Sequence, residues 1–122
     1  MRRGRMVICI DFDGTIVDHK YPEIGSLKKG AREVINELFQ KHEIVIFTCR
    51  SNSNSSKDDL HKAKKFLEMN GILFDEINEN ASDVTFGCWP KLYADIYIDD
   101  RSLFFVDDWD KIREELIRKG AL

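Results

Sequence analysis

The chain of 122 residues is poor in the features that mark stapled, fibrous or membrane-spanning proteins. Its three cysteines, Cys9, Cys49 and Cys88, are an odd number with no C-x-x-C spacing. A disulfide framework or a structural zinc site is therefore not expected. Two prolines and seven glycines exclude collagen-like and low-complexity classes. No apolar run approaches the roughly 20 residues that cross a bilayer. No signal-peptide pattern precedes the first of them, and the basic opening Met1-Arg2-Arg3-Gly4-Arg5 is too short to be a targeting peptide. A cytoplasmic protein without a membrane partner is expected. An excess of one charge is missing as well: 19 basic against 22 acidic side chains leave a net charge of -3, which offers nucleic acid no bulk attraction. What remains is 43% hydrophobic and 34% charged, a composition suited to one globular domain over residues 1–122 with a core of its own.

Apolar runs of strand length alternate with amphipathic patterns. Met6 to Ile10 (MVICI) is continuous and rich in β-branched residues, as a strand buried on both faces requires. After a polar stretch from Val17 to Ser26, apolar residues recur at helical spacing through Leu27, Ala31, Val34, Ile35, Leu38 and Phe39. Glu43 to Thr48 (EIVIFT) predicts a second buried strand. Ser51 to Ser56 reads as a polar loop, and Ser56-x-x-Asp59 as a capping box. The helix that follows carries Leu60, Ala63 and Leu67 on one face and stops near Asn70-Gly71. Ile72 to Ile77 is a short strand candidate, Asn78 to Trp89 a loop, and Ala94 to Ile98 (ADIYI) a third strong strand. Leu103 to Val106 is expected as a last edge strand, and Trp109, Ile112, Leu116 and Ile117 as a closing helix. This order predicts an α/β protein with a Rossmann-like, open, mostly parallel sheet flanked by helices.

Three of the predicted strands end in polar residues: Asp11 with Asp13, then Thr48, then Asp99 with Asp100. In a parallel sheet these ends gather along one edge, where open α/β sheets bind ligands. Four crowded carboxylates call for a hard divalent cation, and magnesium suits oxygen ligands that share a shell with phosphate. Thr48 would supply a hydroxyl donor and Lys91 a cation, with Lys57 as the fallback. The spacing thus leads to a magnesium-assisted phosphoryl-transfer site. The plainer reading, solvated strand-end acids without catalytic duty, fits the same residues.

The segment Ile10-Asp11-Phe12-Asp13-Gly14-Thr15-Ile16 resembles the D-x-D-G-T signature of the haloacid dehalogenase superfamily. Ile46-Phe47-Thr48 is similar to the second motif of that family, Lys91 to the third, and Tyr97-Ile98-Asp99-Asp100 to the fourth. The resemblance implies a phosphatase in which Asp11 attacks phosphorus and Asp13 protonates the leaving group and then activates water. It further implies Mg2+ held by Asp11, the main-chain carbonyl of Asp13 and a fourth-motif acid. Asp100 is expected as the direct ligand, with Asp99 acting through water. Thr48 would bind the phosphate, and Lys91 would screen its charge. Arg50, two residues after Thr48, is placed to meet a second anionic group or to form a surface salt bridge. Phe12 is expected to point into the protein.

Most phosphatases of that superfamily carry a cap domain, yet neither the stretch after DFDGT nor the 42 residues between Thr48 and Lys91 have room for one. An open crevice suits a phosphorylated metabolite or an exposed phosphate on a larger substrate, and a second copy of the chain could cover it. Asp18 to Glu23, Arg50 to Ser56 and Phe86 to Trp89 are placed to line it. The adjacent acids with Arg101 resemble nucleotidase-like members, which implies a nucleotide as one substrate class. Cys9 reads as a buried small hydrophobe. Cys49 is a poor nucleophile, because none of His19, His42 and His61 is placed to serve it; the histidines read as peripheral. Two other readings are a phospho-ligand-binding module without turnover and a receiver-like signalling domain. A receiver places adjacent acids after its first strand and its phosphorylated Asp on a middle strand. Here the first acids are separated by Phe12, and the middle strand ends in Thr48.

Overall fold

The computed structural model describes residues 5–52, 58–82, 84 and 90–122. In chain order these form β1 (Val7–Asp11), α1 (Ala31–Phe39), β2 (Glu43–Phe47), α2 (Asp59–Met69), β3 (Glu76–Ile77), β4 (Ile96–Ile98) and α3 (Trp109–Arg118). The four strands make one sheet in the order β3-β2-β1-β4, and every pairing is parallel. The expected α/β class with a parallel sheet is what the chain adopts.

Alternation along the strands sorts the core onto two faces. Ile8, Ile10, Phe12, Ile44, Ile46 and Ile98 pack with the buried faces of all three helices. Val7, Cys9 and Val45 face the other way, against Ala81 and the partly buried Leu92, Tyr93 and Ala94. The chain moves outward from β1 to β3 and then crosses back to β4. A right-handed crossover in the reverse direction must run over the opposite face, and the described residues of this crossover are coil and turn. Each fully buried isoleucine is worth roughly 1.5–3 kcal/mol, so β1 and β2 form the rigid centre.

The edge strands begin with a shared device. Asp75 donates its N–H to the Ile44 carbonyl while its carboxylate accepts from the Ile44 N–H, both at 2.8 Å. Asp95 does the same with Val7, at 2.7 and 2.8 Å. Each acid thereby replaces a ladder partner where its strand is too short to supply one. Asp108 caps α3, its carboxylate accepting from Asp110 N and Lys111 N.

Several expectations change. The first helix begins at Ala31 rather than near Leu27, because Leu27 bridges Val17 instead. Only Glu76–Ile77 of the stretch from Ile72 is strand. Leu103 to Val106 is turn and coil, not an edge strand, and Leu103 and Phe104 are each 89% exposed. Among the described residues no strand lies beyond β4 for their β-forming side chains to pair with. The helix α2 has Asp58 at its N-cap; Ser56 of the expected capping box lies outside the described residues, as do Lys57, Phe86, Cys88 and Trp89. His42 is not peripheral. It is buried, its Nδ1 accepts from Met6 N–H at 3.0 Å, and its Nε2 lies 2.7 Å from the Ala121 carbonyl, tying the last residues to the sheet.

Candidate active site

The sheet order reverses direction between β1 and β4, and this is where such sheets leave a crevice at their carboxyl ends. The register Ile10↔Ile98 sets Asp11 beside Asp99, and Asp11 itself pairs with Phe47, one residue before Thr48. Asp11, Thr48 and Asp99 are thus level with one another because three strands end together.

Beyond Asp11 the chain turns sharply. The Phe12 carbonyl accepts from the N–H groups of Thr15, Ile16 and Val17, and Gly14 N–H donates to Val17 at 2.8 Å. The Gly14 φ of +89° favours glycine, and a Cβ there would lie 2.2 Å from Asp100 Oδ2. The missing side chain is what admits the Asp100 carboxylate. Buried Thr15 completes the join: its Oγ1 accepts from Asp100 N–H at 2.9 Å and shares its proton between Asp11 Oδ2 and Asp100 Oδ1, at 3.3 and 3.4 Å. The Trp109 indole donates to the Thr15 carbonyl at 2.9 Å, and the Lys28 amine donates to that of Gly14. The start of α3 and the end of the loop thus brace the turn from outside.

Asp11, Asp99 and Asp100 each bring an oxygen within 4.8 Å of the other two. Among the described residues no lysine or arginine forms an ion pair with any of them, and one threonine proton cannot neutralise three acids. Burial first, then the hydrogen bond with Asp100 and the charge of Asp99, push the Asp11 carboxyl up to about 8. An all-oxygen set of this kind could hold a hard divalent cation. Asp99 and Asp100 both belong to this set.

Asp13 stands apart from this group. Its carboxylate takes a bidentate pair from Arg50, Nε to Oδ2 at 2.7 Å and Nη2 to Oδ1 at 2.8 Å. Arg50 is only 1% exposed, so it is neither a surface salt bridge nor turned toward a second anion on a ligand. Its other donors go to the carbonyls of Pro22 and Glu23, at 3.3 and 2.9 Å. Its guanidinium lies over the rings of Phe12 and Tyr21, 5.5 and 5.0 Å from their centroids. Tyr21 in turn donates to Asp59 at 2.9 Å. The loop after DFDGT is therefore strapped down over Asp13. Phe12 is buried, its ring edge-to-face with Phe66 at 5.9 Å.

Thr48 is half-buried on the rim, and its Oγ1 accepts from Arg50 N–H at 3.1 Å. Asn78, which sequence reasoning passed over, fixes it. Its Oδ1 accepts from Thr48 N–H at 2.8 Å and its Nδ2 donates to the Thr48 carbonyl at 3.1 Å. An asparagine directly after a short strand, tolerant of the φ of +57° found there, was the available signal. Lys91 is exposed, its amine 4.9 Å from the Tyr97 ring centroid. Lys91, Thr48 and Asp99 line one cleft. Cys49 is exposed beside Thr48, while Cys9 is buried and its thiol is pushed up to about 12 by desolvation.

No protein-family model and no curated relative matches the chain. Among solved structures, it is similar to a conserved protein from Bacteroides thetaiotaomicron, with 34% identity and a TM-score of 0.81 over 96% of this chain and 93% of that one. No helix among the described residues is long and apolar enough to cross a membrane.

Proposed function

The chain belongs to one family with that conserved Bacteroides thetaiotaomicron protein, and we propose that it is a magnesium-dependent phosphomonoester hydrolase of the haloacid dehalogenase type. The observation that carries this reading is the division of the two DFDGT acids. Asp11 joins Asp99 and Asp100 in a crowded oxygen cluster, whereas Asp13, two residues on, is held outside it by Arg50.

In this reading an Asp11 oxygen attacks phosphorus as the bond to the leaving group breaks, giving an aspartyl phosphate. Asp13 first takes a proton from solvent on one oxygen in exchange for an Arg50 hydrogen bond, and then gives that proton to the departing oxygen. It then takes one from the water that attacks phosphorus, and the bond to Asp11 breaks to release inorganic phosphate and restore both acids. Arg50 aims Asp13 throughout, and each carboxylate oxygen keeps a second lone pair for the water. Asp11, Asp99 and Asp100 would hold Mg2+, which offsets phosphoryl charge so that one anion can approach another. The Thr48 hydroxyl and Lys91 amine hold phosphoryl oxygens at the rim. The substrate would be a phosphorylated small molecule, or a phosphate exposed on a larger one, because the loop from Asp18 to Glu23 is bound to Arg50 rather than folded into a cap. Hydrolysis of p-nitrophenyl phosphate tests this: turnover should require magnesium and vanish in Asp11→Asn. Turnover that ignores either change would overturn the proposal.

A further inference from the structure

The face of the sheet that carries Asp11 has a second feature that hydrolysis alone does not require. Residues two apart on a strand share a face, so Cys9 and Asp11 on β1 look the same way. Phe47 pairs with Asp11, and Tyr97 pairs with Cys9. Phe47 and Tyr97 meet there edge to face, with centroids 6.3 Å apart and planes at 89°. They line a cleft of about 540 Å3 together with Thr48, Lys91 and Asp99. A phosphate held by Thr48 and Lys91, with Asp99 reaching it only through a cation, would have its organic part beside the two rings.

Two of the polar groups lining this cleft are already committed. The Tyr97 hydroxyl donates to the Leu92 carbonyl at 2.5 Å and accepts from Ala94 N–H at 3.1 Å. The Asn78 amide is occupied by the backbone of Thr48. The cleft offers its occupant the rings of Phe47 and Tyr97, the side chains of Leu92 and Pro90, and the Ser102 hydroxyl and Cys49 thiol, with Tyr97 held by the bonds of its hydroxyl. A sugar or polyol phosphate would surrender water from its hydroxyls there and find fewer partners than hydroxyls to satisfy. A flat apolar ring would lose nothing, and would find edge and face contacts of the kind aromatic groups favour.

We propose that this cleft is the leaving-group subsite and that the substrates are phosphomonoesters carrying a planar aromatic group close to the phosphate. The inference rests on the phosphatase reading above. It is tested with phosphonates, which share a head group and have no leaving group to confuse affinity with reactivity. Inhibition of magnesium-dependent p-nitrophenyl phosphate hydrolysis is compared for phenylphosphonate and methylphosphonate. Phenylphosphonate should bind at least about tenfold more tightly, the discrimination a well-filled apolar pocket gives. Phe47→Leu, which removes no hydrogen bond, should bring the ratio of the two inhibition constants toward one, and so should Tyr97→Leu. Equal inhibition of the unaltered protein by the two compounds, with hydrolysis intact, would overturn the subsite and leave the phosphatase standing. Absence of hydrolysis would overturn both. The comparison in the unaltered protein decides the matter even if a variant fails to fold.

Discussion

Replacing Gly14 with alanine separates the oxygen cluster from the fold that carries it. The new Cβ would lie 2.2 Å from Asp100 Oδ2, 2.7 Å from its Cγ and 3.2 Å from Oδ1, all atoms at the far end of one side chain. Carbon atoms in contact prefer roughly 3.5 Å, so the carboxylate retreats by about 1 Å or more while the backbone can stay. A left-handed alanine adds about 1–2 kcal/mol of strain. Without a cation that cost is partly offset, because Asp100 moves away from Asp11 and Asp99. With magnesium the balance changes, since ligand distances near 2 Å tolerate no such displacement. If affinity falls about a hundredfold, magnesium at 100 times the original Kd stabilises the unaltered protein by about 2.7 kcal/mol and the variant by only about 0.4 kcal/mol. The difference is on the order of 5–10 °C in Tm for a chain of this length. Thermal melts of both proteins with magnesium and with chelator measure it. Equal magnesium increments would refute the placement of Asp100 at the cation.

Three further outcomes follow from the same geometry. The Asp11 carboxyl, raised to about 8 against an ordinary 3.8, favours the metal-free fold fully below pH 3.8, and that contribution is lost as pH rises to about 8; melts in chelator should fall across this window, Asp11→Asn should flatten them, and magnesium should help most at its upper end. Arg50→Ala strands the Asp13 carboxylate and should lose about 3–5 kcal/mol in urea unfolding, with Asp13→Asn on the same chain recovering part of the stability but no turnover. Asn78→Gly keeps the backbone conformation at φ +57° but frees Thr48, and should lower kcat/KM about tenfold with little change in Tm.

The centre of the sheet was legible because its pattern is strong and its surroundings uniform. The runs MVICI and EIVIFT have apolar neighbours on both sides, so β1 and β2 fall within a residue of expectation. The edges were not, because strand propensity there depends on a neighbour that the sequence does not reveal. Leu103 to Val106 has the composition of a strand and no strand to pair with, while Glu76–Ile77 pairs despite its acid. At the site, the placing of Asp11, Asp99 and Thr48 was readable from the rule that parallel strands end on one edge. The bidentate pair from Arg50 to Asp13 was not, since 37 residues separate them and an arginine beside a polar loop reads as a surface group. His42 was misjudged for the same reason: its burial comes from Ala121, 79 residues away.

The proposed hydrolysis depends most on Asp11 forming a bond to phosphorus. Acid quenching during turnover of p-nitrophenyl phosphate with magnesium, followed by peptide mapping by mass spectrometry, looks for that bond directly. The account predicts a phosphoryl group on Asp11, stable in acid, released by hydroxylamine, and enriched in Asp13→Asn, where water is no longer activated. A phosphoryl group on another residue, or steady turnover without any phosphorylated peptide in either protein, would contradict it.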